Sequence, residues 1–104
     1  MATNRIELLK SYIEEDPDDI FSVYALALEY SAIESFGEAI PLLENLQKNH
    51  PDYLPTYYQL GKLLEKTGNF SKAIEVYILG EQVASKQNDI KTRSELLAAR
   101  ENIE

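Results

Sequence analysis

The sequence predicts an all-α protein, about six helices stacked as hairpins into a short α-solenoid. Three observations predict it. The chain resembles itself when shifted by 34 residues, a period typical of helical-hairpin repeats. Within each period apolar residues recur at helical spacing. Pro17, Pro51 and Gly68 stand where one periodic segment gives way to the next, as helix-ending residues do.

In the shift of 34, Pro17 meets Pro51, Asp18 meets Asp52, Tyr24 meets Tyr58 and Leu26 meets Leu60. Phe36 meets Phe70, Ala39 meets Ala73 and Ile40 meets Ile74. The similar pairs Ile20/Leu54, Ser22/Thr56, Val23/Tyr57, Ala27/Gly61 and Leu42/Val76 fill the gaps.

The elements follow in order. Residues 3–16 form a half-repeat helix whose apolar stripe is Ile6, Leu9, Tyr12 and Ile13. Pro17 then closes it, because proline disfavours helical geometry in the residue before it. Residues 18–51 are the first repeat, with helices over 18–33 and 37–49. Val23, Leu26, Ala27 and Tyr30 mark the inner face of the first of these. Ala39 is small enough to let two helix axes approach, with Ala27 as the facing small position; a large residue there costs about 1–3 kcal/mol by overpacking. Pro41 is expected in the first turn, where little backbone bonding is lost. Residues 52–86 are the second repeat, with helices over 53–67 and 71–87. Tyr57, Leu60, Gly61 and Leu64 repeat the inner face, and Ala73 repeats Ala39. Gly68 ends the first helix in a left-handed conformation, and Asn69 or Ser71 is placed to cap the next. A last helix over 89–103 offers Ile90, Leu96, Leu97, Ala99 and Ile103 as a cover for the open end, which a repeat stack needs. The whole chain, 1–104, reads as a single domain.

These residues make the resemblance specific. In the second repeat, Tyr57, Leu60-Gly61, Leu64, Gly68, Phe70, Ala73, Tyr77 and Gly80 resemble the large, small and aromatic positions of the tetratricopeptide repeat. The first repeat matches with Leu26-Ala27, Tyr30, Phe36, Ala39 and Pro51. It departs at Glu34, where the family often has Gly, and at Leu46, where it usually has a small residue. The resemblance implies helical hairpins stacked into a right-handed superhelix, and a scaffold or adaptor that holds a peptide or helix of another protein.

Composition excludes several other classes. Against 10 Lys+Arg stand 18 Asp+Glu, a net charge of -8. Nucleic-acid binding is therefore not expected, since it needs a basic face. A basic or apolar protein partner fits better. The charge is lopsided: residues 1–52 hold 11 acids and three bases, and residues 53–104 hold seven of each. Much of the excess is Glu14-Glu15-Asp16-Pro17-Asp18-Asp19, read as a solvated turn whose acids favour the next helix N-terminus. No cysteine is present, so no disulfide framework or thiolate site is expected. With no apolar leader and no span long enough for a membrane, the expected location is cytoplasmic.

Chemistry finds little support. His50 stands alone before Pro51 and reads as a helix C-terminal cap. Lys66-Thr67-Gly68 lies at the end of a helix, not after a strand as a phosphate loop requires. The serines have no base nearby in sequence, and the calcium-loop pattern is absent. No catalytic residue, metal or cofactor is expected.

In the family the first helix of each hairpin lines a concave face. Carried over by position, the groove residues are Phe21, Tyr24, Leu28 and Ser31 from the first repeat, and Tyr58, Lys62, Glu65 and Lys66 from the second. They describe an aromatic floor with a Lys rim. Tyr30, Tyr57 and Tyr77 fit core positions instead. The subtype that clamps chaperone C-terminal carboxylates is not expected: its Asn positions fall on Leu28 and on Gln59 or Ala25, and no third groove helix has a clear counterpart. The alternative to an adaptor is a homodimer formed through Leu96, Leu97 and Ile103 of the last helix.

Overall fold

The structure is a computed structural model that describes residues 2–103. The terminal residues of the 1–104 span, Met1 and Glu104, lie outside the described residues. Six α-helices run in order: α1 (Ala2–Glu15), α2 (Ile20–Ala32), α3 (Phe36–Asn49), α4 (Pro55–Lys66), α5 (Phe70–Lys86) and α6 (Ile90–Ile103). Each helix packs chiefly on its chain neighbours, which makes a row of antiparallel hairpins 37 × 28 × 21 Å in extent. No helix of the described residues is long and apolar enough to cross a membrane.

The helix starts show local chemistry. Asp19 caps α2: its carboxylate accepts from the Ser22 N–H at 3.1 Å and from the Ser22 hydroxyl at 2.6 Å. Asp89 repeats the device for α6 with the Thr92 N–H at 3.0 Å and the Thr92 hydroxyl at 2.8 Å. Between them, Tyr53 stands where the repeat would put the same Asp. Thr56, the counterpart of Ser22 and Thr92, is fully buried, and its hydroxyl has no partner among the described residues. Helix α4 begins at Pro55 rather than at 53, because proline's fixed φ and missing N–H suit a first helical position. Asn69 does stand at the N-cap of α5, but neither it nor Ser71 makes a side-chain cap there. Pro41 lies in the second turn of α3, not the first, because the helix already starts at Phe36. The N–H that would reach back to the Gly37 carbonyl is therefore missing.

Three turns close on one pattern. Glu34, Gly68 and Asn88 have φ of 60°, 82° and 59°. After each, two N–H groups fold back on the preceding helix: Ser35 to Tyr30 at 2.8 Å, Asn69 to Leu64 at 2.8 Å and Asp89 to Ala84 at 2.9 Å, beside the shorter loops of Glu34, Gly68 and Asn88. This left-handed C-terminal motif satisfies helix carbonyls that would otherwise lack donors. Glu34 thus keeps the turn that Gly68 makes, at the cost of a strained backbone.

The core is built on small residues facing large ones. Ala39, Ala73, Leu43, Leu60, Tyr77 and Leu96 are completely buried. A Cβ on Gly61 would overlap the Tyr77 ring, and one on Gly80 would lie 2.6 Å from the Cβ of Tyr57. Leu46 and Val23 occupy in the first repeat the places of Gly80 and Tyr57. Volume has moved from one helix to the other, so the large Leu46, 1% exposed, is tolerated by a smaller partner.

The end helices differ from the expectation in two places. On α1, Ile6 and Leu9 are buried and Ile13 is half-buried, but Tyr12 is 44% exposed. Among the described residues, α1 packs on α2 alone to any extent. On α6, Leu96 and Ala99 are buried, and Leu97 and Ile103 are half-buried. Ile90, at the first turn, is 78% exposed and covers nothing. Arg100 ties α6 to α5 through Glu81 at 2.7 and 3.0 Å, a two-pronged pair.

Glu34→Gly is expected to raise stability by about 0.5–1 kcal/mol, since it relieves a left-handed residue but adds freedom to the unfolded chain. Gly61→Ala is expected to lower it by about 1–3 kcal/mol through overlap with Tyr77. Urea unfolding of both variants checks the opposite signs. Hydrogen bonds from Ser22 hold the Asp19 carboxyl below its ordinary range, and the Thr92 N–H and hydroxyl do so for Asp89. Their contribution is complete above the unfolded value near 4 and is lost as pH falls through the lower folded value. Asp19→Asn with Asp89→Asn is expected to flatten the loss of stability on acidification below about pH 4, read as the urea midpoint against pH.

Candidate protein-binding groove

Helices α2, α4 and α6 alternate along the chain with α1, α3 and α5. Tyr24 of α2 meets Tyr53 edge to face, with ring centroids 5.6 Å apart. Burial, then the neighbouring Tyr53, pushes the Tyr24 hydroxyl above its usual range. The ring is half-buried and packs against the core. Phe21, one turn earlier, is 69% exposed. Leu28 and Ser31 continue the α2 face and are half-buried.

On α4, Tyr58 is 36% exposed and leans on the Tyr77 ring at 6.4 Å between centroids. The Lys62 ammonium lies 5.5 Å from the Tyr58 centroid and 3.7 Å from the Glu65 carboxylate. Glu65 also accepts a short hydrogen bond from the Tyr77 hydroxyl. That hydroxyl is held far above its usual range, first by burial and then by the Glu65 carboxylate. Tyr58, Lys62, Glu65 and Tyr77 therefore form one connected group. Lys66 stands apart from it: its ammonium lies over the Phe36 ring, 5.9 Å from the centroid, at the α2–α3 turn.

Across from Tyr58 and Lys62, α6 contributes Glu95, Ala98, Ala99 and Asn102 to an open cleft of about 540 Å³. These four residues escaped the sequence reading, which treated α6 as a cover. A signal was present. Asp89-x-x-Thr92 repeats Asp19-x-x-Ser22, which sets α6 in register with α2 as a first helix. Helix α6 thus both packs on α5 and lines the cleft.

Residues 54–87, the α4–α5 hairpin, match the tetratricopeptide repeat family. A tetratricopeptide repeat domain protein from Salinibacter ruber, solved in solution, is 40% identical over 86% of this chain and 90% of that one, with a TM-score of 0.81. The chain belongs to the tetratricopeptide repeat family. A crystal structure of a tetratricopeptide repeat domain protein from the same organism is 38% identical over 83% of this chain and 96% of that one, with a TM-score of 0.78. The TPR2B domain of yeast Sti1, solved in complex with pHsp70, covers 98% of this chain and 82% of its own with a TM-score of 0.90. At 16% identity that likeness is one of fold. Tetratricopeptide domains are generally protein-interaction modules.

The connected group predicts a structural cost at the groove floor. Tyr77→Phe removes the donor to Glu65 and is expected to cost about 1.5–3 kcal/mol, as a hydrogen bond to a charged group does. Guanidinium unfolding of the parent and the variant measures it, with an unchanged helical circular dichroism spectrum showing that the fold is retained.

Proposed function

We propose that this tetratricopeptide protein is an adaptor without catalytic activity, which holds a peptide or short helix of a protein partner on the face formed by α2, α4 and α6. One observation carries the reading. The open α4–α6 cleft continues a row of partly exposed aromatic side chains, Phe21, Tyr24 and Tyr58. Tyrosine suits such a surface, with a broad apolar ring, a polar tip and little side-chain entropy to lose. Leu28 and Ser31 extend the floor on α2, and Lys62 and Glu65 set its polar edge on α4. Lys66 belongs to the rim, beside Phe36. The chain works in this reading as one unit, a half-repeat, two repeats and a last helix that also serves the groove.

The alternative, a homodimer through α6, has less surface at its disposal. Leu96 is fully buried, Ile103 is half-buried against the chain's own core, and Leu97 is half-buried. A carboxylate clamp is disfavoured too, because the one Lys on the α4 side of the cleft is already paired with Glu65.

The test is a pull-down with the protein and with Tyr24→Ala/Tyr58→Ala, both checked for helical circular dichroism. Partners retained by the parent and lost by the folded variant are expected. The same partners on both baits would move binding to another face.

A further inference from the structure

The charges around the α4–α6 cleft are unequally matched. Lys62 is answered from within the chain by Glu65 and by the Tyr58 ring, and Glu65 is answered by Lys62 and Tyr77. Glu95, on the α6 side of the same cleft, is exposed and has no ion pair or hydrogen bond among the described residues. Lys91, one turn before it on α6, forms no ion pair with it. The side chains that share its helical face, Ala98, Ala99 and Asn102, lie three, four and seven residues on, and the two alanines leave the space open.

We infer that the α4–α6 cleft is a cation subsite, which takes a Lys or Arg side chain from a partner segment whose apolar residues lie against Phe21, Tyr24 and Leu28. The inference rests on the groove reading above. Glu95 supplies the opposite charge. The Asn102 carbonyl can accept a further N–H. The Tyr58 ring and the two alanines line the alkyl stem of a long basic side chain, which packs its methylenes on apolar surface while its head stays polar. Charge decides the sign. An incoming carboxylate would face Glu95 unpaired, while Lys62 is already occupied. The net charge of -8 draws a basic segment toward the protein and repels an acidic one.

The experiment uses fluorescent short peptides rich in Leu and Phe that differ at one central position, which is Arg, Gln or Glu. Binding to the full chain is followed by anisotropy. Arg peptides are expected to bind tightest, with affinity falling as salt rises. Glu95→Gln is expected to weaken Arg peptides about fivefold, and Glu95→Lys on the order of tenfold, with the order of preference shifting toward Glu peptides. Both substitutions lie on an exposed helix position and should leave unfolding unchanged, which denaturation verifies. Equal binding of Arg, Gln and Glu peptides, or indifference to Glu95→Lys, would overturn the cation subsite. If those peptides are still lost with Tyr24→Ala/Tyr58→Ala, the groove itself stands. If no peptide depends on either pair of changes, both ideas fall.

Discussion

The fold depends on how closely two helices of a hairpin can approach. In the second repeat that approach is set by Gly61 against Tyr77 and by Gly80 against Tyr57. A glycine lets a ring lie against helix backbone, and the ring then fills the space between the two helices of the hairpin. Tyr77 is fully buried, yet its hydroxyl reaches the Glu65 carboxylate. One residue thus sets the helix spacing and holds the carboxylate that pairs with Lys62. Repeat stacks have no central core to share such constraints, so each interface carries its own.

The first repeat solves the same problem with different residues. Leu46 in place of a glycine is balanced by Val23 in place of a tyrosine, and Glu34 takes a left-handed turn without being glycine. These departures show what the repeat conserves physically. It is the summed volume at a contact and the hydrogen bonds of a turn, not the residue at one position. The cost is local, in backbone strain at Glu34; the second repeat has its own departure, with the Thr56 hydroxyl left without a partner among the described residues where Tyr53 replaces a capping Asp.

The same logic bears on the proposed groove. Tyr58 and Lys62 of α4 face Glu95, Ala98, Ala99 and Asn102 of α6 across an open cleft. On α2 the partly exposed side chains are apolar and aromatic, and α4 and α6 add charge. The ion pair of Lys62 with Glu65 and the unpaired Glu95 give the cleft its polarity. That polarity could not be read from the net charge, which is contributed almost entirely by residues 1–52.

The sequence by itself determined the helices, their pairing into hairpins and the register of the repeat, because small, aromatic and turn residues recur at a fixed spacing. It also placed Tyr57 and Tyr77 in the core, since their spacing matched the inner face. Helix ends were less legible: Pro55, Pro41 and Asn69 each admit more than one position in a helix start. Tyr12 and Ile90 sit on apolar stripes yet remain exposed, because burial requires a neighbouring element, and none among the described residues covers them. Only the tertiary structure decided that α6 lines the cleft, that Lys62 is neutralised and that Glu95 is not. Those facts depend on which side chains meet across different helices, and spacing along one helix carries no record of them.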